Sequence, residues 1–270
     1  MKETAPFKVA AVQMVSGPYV EANLAAAEAL IGEAAALGAR LVALPENCGI
    51  LGLSDRDKLG VRERDGDGPI QRFLSQQSAR YGIWLIGGSV PLECGDPDKV
   101  RASCLVYDER GGRVARYDKI HLFGFTAEAE RYDEAATIEP GGEPVAIDSP
   151  FGRLALSICY DLRFPELYRA LGRIDLILVP SAFTATTGRA HWETLLRARA
   201  IENLAYVLAP AQGGRHPNGR ETHGHSMIVD PWGTVLACLP RGPGVVVAEV
   251  DPAFQRRMRE GLPALEHRTL

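Results

Sequence analysis

The chain contains one pattern twice. Residues 7–14 form an apolar run, residues 21–37 are rich in Ala, Glu and Leu and stop at Gly38, and Arg40–Leu44 is a second apolar run ending in Pro45-Glu46-Asn47. A helical stretch over 69–80, a strand at Trp84–Val90 and a hairpin follow, the hairpin pairing Ala102–Tyr107 with Arg113–Tyr117 across Asp108-Glu109-Arg110-Gly111-Gly112. The same order returns in the second half. Arg153–Ile158 is a strand after the turn Ser149-Pro150-Phe151-Gly152, residues 165–171 are helical, and Asp175–Val179 is a strand ending in Pro180-Ser181. Residues 189–204 are helical, Tyr206–Ala209 is a strand, and Ser226–Val229 and Thr234–Cys238 flank the turn Asp230-Pro231-Trp232-Gly233. A last strand, Gly244–Val250, precedes a short helix from Pro252. Residues 120–144, between the halves, read as a long irregular loop. Strands joined by helices and apolar at nearly every position are buried on both faces. The pattern predicts an α/β fold, one domain over 1–270, with two mixed sheets packed together, helices outside and an internal duplication.

Composition narrows the function. The 270 residues are 46% hydrophobic and 24% charged, enough for a large core. A formal net charge of -4, with basic residues scattered, argues against nucleic acid as a partner. No apolar run reaches transmembrane length, and residues 1–8 lack a signal-peptide core. The five cysteines are widely spaced without a CxxC pair, which disfavours a disulfide framework or a zinc site and suits a reducing cytoplasm. His223 and His225 alternate along a strand-like stretch and so face opposite ways; no metal and no cofactor is expected.

Three residues can carry chemistry. Cys159 ends an apolar run and precedes a tight polar turn, with Pro165-Glu166 opening a helix. A cysteine at such a junction stands clear of the sheet, near a helix N-terminus that favours thiolate over thiol. The alternative is a small buried hydrophobe. Glu46 ends a strand in the corresponding region of the other half, and Lys119 leaves the first hairpin; taken singly, each also fits a solvated surface charge. Together they supply nucleophile, base and cation.

Four segments sharpen this reading: Leu44-Pro45-Glu46-Asn47, Tyr117 through Phe123, Ser157 through Glu166, and Pro180-Ser181-Ala182-Phe183. Over essentially its full length the sequence resembles the nitrilase superfamily of carbon–nitrogen hydrolases. The resemblance implies a four-layer αββα sandwich and a Glu46, Lys119, Cys159 triad. Glu46 would take the thiol proton and return it to the departing ammonia. Lys119 and the N–H of Tyr160 would hold the oxyanion, and water would then hydrolyse a thioester. A second glutamate follows the lysine in the family; Glu134 fits that place, with Glu128 and Glu130 as competitors, although Ala135 stands where the family has serine. Arg163 can clamp a substrate carboxylate or pair with Asp161 or Glu166; the resemblance favours the clamp. Phe183 and Thr184 follow a strand end and can line the pocket, Phe183 equally well packing the core. His121 and His225 read as structural, as does the scaffold segment His191-Trp192-Glu193.

Residues 211–216 and 224–233, with the terminal 262–268, resemble the Nit branch, and within it the deaminated glutathione amidases more than the omega-amidases that act on 2-oxoglutaramate or 2-oxosuccinamate. Gly124-Phe125-Thr126 departs from the family's glycine-proline pattern in a loop that shapes the pocket. The implied partner is a small carboxylate-bearing amide, and the implied assembly a homodimer or larger homo-oligomer. A catalytically silent binding protein of this fold is the alternative of another class; the intact Glu46, Lys119 and Cys159 argue against it.

Overall fold

The computed structural model describes residues 5–127 and 130–269, and of Ala127 and Glu130 the backbone only. The first half runs β1 (Phe7–Gln13), α1 (Val20–Ala36), β2 (Ala39–Ala43), α2 (Asp57–Gly60), α3 (Pro69–Tyr81), β3 (Trp84–Ile86), β4 (Val90–Glu93), β5 (Val100–Tyr107) and β6 (Arg113–Asp118). A small hairpin follows, β7 (Gly124–Ala127) and β8 (Glu130–Asp133), then a 3-10 turn at Glu134–Ala136. The second half runs β9 (Val145–Ser149), β10 (Gly152–Leu156), a 3-10 segment at Cys159–Arg163, α4 (Pro165–Ala170), β11 (Leu176–Leu178), α5 (Ala185–Asn203), β12 (Tyr206–Ala209), β13 (Ser226–Val229), β14 (Val235–Leu239), β15 (Gly244–Val250) and α6 (Pro252–Gly261).

One sheet has the order β15-β1-β2-β3-β5-β4 with β6 beside β5, and the other β14-β13-β12-β11-β10-β9. In each, three consecutive strands are parallel: β1, β2 and β3, then β10, β11 and β12. Alternation along β1 shows how the layers form. Phe7, Val9 and Ala11 enter the core between the sheets, whereas Ala10, Val12 and Met14 pack with residues of α1 and α3. The second sheet is covered on its far side by Leu167 and Tyr168 of α4 and Trp192, Leu196 and Ala200 of α5. The result is the αββα sandwich.

The structure departs from the sequence-based expectation in three places and settles a fourth that the sequence left open. The strand expected over 84–90 is broken by one extra residue at Gly87–Ser89, so β3 and β4 run along the same edge of β5. Residues 120–144 contain the β7–β8 hairpin, with Phe125 opposite Tyr132, rather than irregular chain alone. Helix α5 begins four residues early, because Thr184 Oγ1 accepts the N–H of Thr187 as an N-cap. Finally, β15 crosses back to lie antiparallel to β1, joining the end of the chain to the first sheet.

The bulge at Gly87–Ser89 shapes the turn after β2. Gly88 has φ of 64°, and a Cβ there would lie 2.1 Å from the carbonyl oxygen of Pro45. Replacing Gly88 by Ala therefore combines left-handed strain with a backbone clash, and is expected to cost about 2 kcal/mol. Urea denaturation checks this; an unchanged midpoint would show that the Pro45 turn can move freely.

Candidate active site

The ends of β2 and β10 open on one cavity. After β2, Leu44 continues the ladder to the carbonyl of Ile86 and the chain turns at Pro45-Glu46-Asn47. Asn47 adopts φ of 58°, a conformation asparagine tolerates, and its N–H donates to Ser89 Oγ at 2.8 Å. This turn buries Glu46, which is 4% exposed.

Lys119 immediately follows β6. Its N–H donates to the carbonyl of Ala102, and its side chain is completely buried. Nζ donates to Glu46 Oε1 at 2.7 Å and to both carboxylate oxygens of Glu134, at 2.9 and 2.7 Å. Glu134, directly after β8, is oriented in turn by the N–H of Phe123 (2.7 Å). An ammonium has three donors and no acceptor, so two carboxylates suit it well. Glu128 lies outside the described residues, and Glu130 is described in its backbone only.

Cys159 sits at a strained elbow. Its φ is 50°, unusual for a non-glycine residue, and its N–H donates to the carbonyl of Pro180 at 2.9 Å. Ser157 below it is tied to the carbonyl of Leu178 (2.8 Å) and receives the Tyr168 hydroxyl (3.0 Å). The thiol lines one cavity with Glu46, Glu134 and Ala182, close enough to the Glu46 carboxylate for each to shift the other's titration. Tyr160 lies in the first turn of the 3-10 segment, where a helix offers its N–H no carbonyl.

Asp161 locks this elbow to the lysine. Its buried carboxylate accepts the Tyr117 hydroxyl (2.7 Å) and the N–H groups of Ile158 (2.9 Å) and His121 (3.0 Å), and contacts His121 Nδ1 at 2.7 Å. Tyr117 and His121 flank Lys119 by two residues each. The His121 ring also stacks on Phe164 at 3.7 Å.

The electrostatics differ from the sequence-based expectation for the thiol. Burial first, and then the Glu46 carboxylate, push the Cys159 pKa well above the ordinary thiol value, and Lys119 only partly opposes them. The group is held as a thiol, not as the thiolate that a helix N-terminus alone would favour. Burial also raises the Glu46 pKa, against the pull of Lys119 and with help from Glu134. For Lys119 burial acts downward, but the charges of Glu134 and Glu46 outweigh it and hold the ammonium well above its usual range. A thiol beside a base of raised pKa, both within reach of a fixed cation, can form and stabilise a tetrahedral adduct at a carbonyl carbon.

The remaining candidates divide. Thr184 lines the cavity with Ala182. Phe183, between them, points the other way, is 5% exposed and packs against Trp192 at 4.8 Å, so the core-packing alternative holds for its ring. Arg163 does not line the cavity. Its guanidinium lies over the rings of Tyr160 (5.6 Å) and Phe183 (5.3 Å), with Nη1 3.3 Å from His191 Nδ1. Stacking on aromatic faces has taken the place of the alternative ion pair to Asp161 or Glu166. The cavity wall instead includes Asp55, Lys58, Tyr132 and Arg220, none of which stood out in the sequence. A separate cleft beside α4, lined by Arg169, Arg173 and Arg259, contains no nucleophile. Among the described residues no group of three or more His, Cys, Asp or Glu side chains is placed to hold a metal ion.

Replacing Lys119 by Met leaves the buried Glu46 without its cation and is expected to cost about 3–5 kcal/mol. Without the cation the Glu46 carboxyl prefers its protonated form, so its folded-state pKa, already raised by burial, rises further above the unfolded one. The variant is then least impaired at acid pH, and loses stability as pH rises through that value. Chemical denaturation at pH 5 and pH 8 measures this; a small deficit that ignores pH would contradict the buried-charge description.

Known proteins carry the same fold and much of the same sequence. The carbon–nitrogen hydrolase family model matches residues 8–260. Deaminated glutathione amidase of Synechocystis sp. is 43% identical over 269 residues, covering 97% of this chain and 98% of that protein. The protein of the same name from Mus musculus is 40% identical over 268 residues, covering 96% and 82%. The crystal structure of Saccharomyces cerevisiae Nit3, a member of branch 10 of the nitrilase superfamily, aligns with a TM-score of 0.89 at 30% identity, covering 99% of this chain and 98% of that one. The chain belongs to the carbon–nitrogen hydrolase family, in the Nit branch of the nitrilase superfamily, and is an amide-hydrolysing enzyme.

Proposed function

We propose that this enzyme is a deaminated glutathione amidase that works through a thioester on Cys159. The observation that carries the reading is the Lys119 ammonium held between Glu46 and Glu134, with the Cys159 thiol in the same cavity as both carboxylates. Glu46 accepts the thiol proton as sulfur attacks the amide carbon. The oxyanion is met by Lys119 and the N–H of Tyr160, each donor contributing about 3 kcal/mol to the barrier. As the intermediate collapses, the amine leaves with the proton from Glu46, and the acyl group stays on sulfur. Glu46 then deprotonates a water that cleaves the thioester, releasing the acid and regenerating the thiol. Glu134 fixes the lysine throughout. Thr184 lies in the wall that meets substrate, and Phe183 and Arg163 support that wall from behind.

The amide of deaminated glutathione releases an amine of peptide size, so ammonia is the leaving group only for primary amides. One feature favours the smaller alternative, an omega-amidase acting on 2-oxoglutaramate: Arg220 is bound to Asp55 and lies over Tyr132, and all three line the cavity. We also propose that residues 1–270 form one catalytic unit, since β15 returns to the first sheet, and that it works as a homodimer or larger homo-oligomer in the cytoplasm, where its free cysteines are at home. No described helix is long and apolar enough to cross a membrane.

The test is kcat/KM for deaminated glutathione and 2-oxoglutaramate across pH, reading the released 2-oxo acid. Deaminated glutathione should be preferred, and Cys159→Ala should abolish turnover. Catalysis needs Glu46 unprotonated, so activity falls as pH drops through its raised pKa, placing the acid limb above the usual glutamate value of about 4.3. Turnover that survives in Cys159→Ala would overturn the mechanism, and a preference for 2-oxoglutaramate would select the omega-amidase reading.

A further inference from the structure

Burial marks depth in the Cys159 cavity. Glu46 and Cys159, at its floor, are 4% and 7% exposed. Asp55 and Arg220 line the same cavity but keep 42% and 35% of their side chains exposed, so they stand at its rim. Across that rim Arg220 donates through both Nη atoms to the Asp55 carboxylate, at 2.8 Å each. Its guanidinium also lies 5.0 Å over the ring of Tyr132 in the β7–β8 hairpin. One residue thus joins three segments from separate parts of the chain: the stretch leading into α2, the loop after β12, and the hairpin that precedes Glu134.

The chain on either side of this contact is anchored. Asn218 Nδ2 donates to the carbonyl of Gly52 at 2.7 Å, and Asn218 Oδ1 accepts the N–H of Arg220 at 3.0 Å. Tyr132 packs on Phe123 at 5.4 Å, and Phe123 on Tyr160 at 5.2 Å. The ion pair is the soft part, since an exposed pair contributes little to stability and parts readily. Behind it the cavity holds about 80 Å³, well below the roughly 300 Å³ at which pockets for small organic ligands begin. A primary amide places its bulk on one side of the carbon that Cys159 attacks. A peptide amide places bulk on both sides, and its amine portion needs room that the closed rim does not leave.

We infer that the Arg220–Asp55 pair is a latch across the cavity rim that sets specificity for the amine side of the substrate: closed, it suits primary amides, and it must part for an amine of peptide size to enter and leave. The inference rests on the amidase reading above. It concerns the leaving group alone and not the acyl portion. Arg220 and Asp55 are positioning residues, acting by holding or freeing the three segments. A pair this exposed opens often, so the latch tunes access for deaminated glutathione rather than barring it.

The quantity to measure is the ratio of kcat/KM for deaminated glutathione over that for 2-oxoglutaramate, which share one acyl group. Lys58, Asp133 and Glu221 also line the cavity, and against that charged background Arg220→Gln and Asp55→Asn change the field on an anionic substrate in opposite senses. A latch demands the same sense from both: each variant should raise the ratio about 3- to 5-fold. The double exchange of Arg220→Asp with Asp55→Arg, which re-forms the pair reversed, should bring the ratio back toward wild type. Opposite shifts in the two single variants, or an unchanged ratio, overturn the inference. Alkylation of Cys159, followed by peptide mass spectrometry, reads the same rim without turnover. Either single variant should accelerate the reaction with the bulky fluorescein maleimide more than that with iodoacetamide, and equal acceleration sinks the latch. Should the wild type cleave neither amide, the amidase reading fails, while the alkylation rates still decide the latch separately.

Discussion

Lys119 places a fully buried ammonium against the carboxylates of Glu46 and Glu134, and the geometry of the site follows from it. An isolated charge at this depth would be strongly destabilising, and so would either glutamate alone. Each therefore requires the others, and they come from separate places: Glu46 from the turn after β2, Lys119 from the end of β6, Glu134 from the end of the β7–β8 hairpin. Cys159, from the second half, lines the same cavity as Glu46. The cluster is one reason the halves must dock in a single register, and Asp161 adds another by tying the elbow of Cys159 to both neighbours of Lys119.

The same cluster explains a resting thiol rather than a resting thiolate. Deprotonating Cys159 would add another negative charge to a buried site that already holds two carboxylates against one ammonium. That charge is better accommodated when it moves onto the oxygen of a bound carbonyl, within reach of Lys119, while Glu46 carries the proton. Activation thus belongs to the encounter with substrate, and the free enzyme's sulfur is protected from chemistry that a standing thiolate would invite.

Much of this was legible in the sequence, for physical reasons. Strands buried on both faces leave near-continuous apolar runs, so β1, β2, β10 and β11 were visible, and with them the strand ends that carry Glu46 and Cys159. Glu134 was found through resemblance, since nothing local distinguishes it from other loop acids. Features that depend on distant partners were not legible. The bulge at Gly88 exists because the Pro45 carbonyl passes over it, and the pairing of β15 with β1 spans nearly the whole chain. Asp55 and Lys58 lie in a polar stretch that reads as solvated surface, and only Arg220, 165 residues away from Asp55, turns that stretch into a cavity wall. Nothing local in the sequence announces that the Arg163 guanidinium stacks on the rings of Tyr160 and Phe183.

The central claim is that Cys159 carries the acyl group during turnover. Intact-mass and peptide mass spectrometry after rapid acid quench of the enzyme with its amide measures this most directly. The account predicts a mass increase equal to the acyl portion of the substrate, on the peptide containing Cys159, which disappears on treatment with hydroxylamine. Turnover with no adduct on that peptide, or with the acyl group on another side chain, would contradict it.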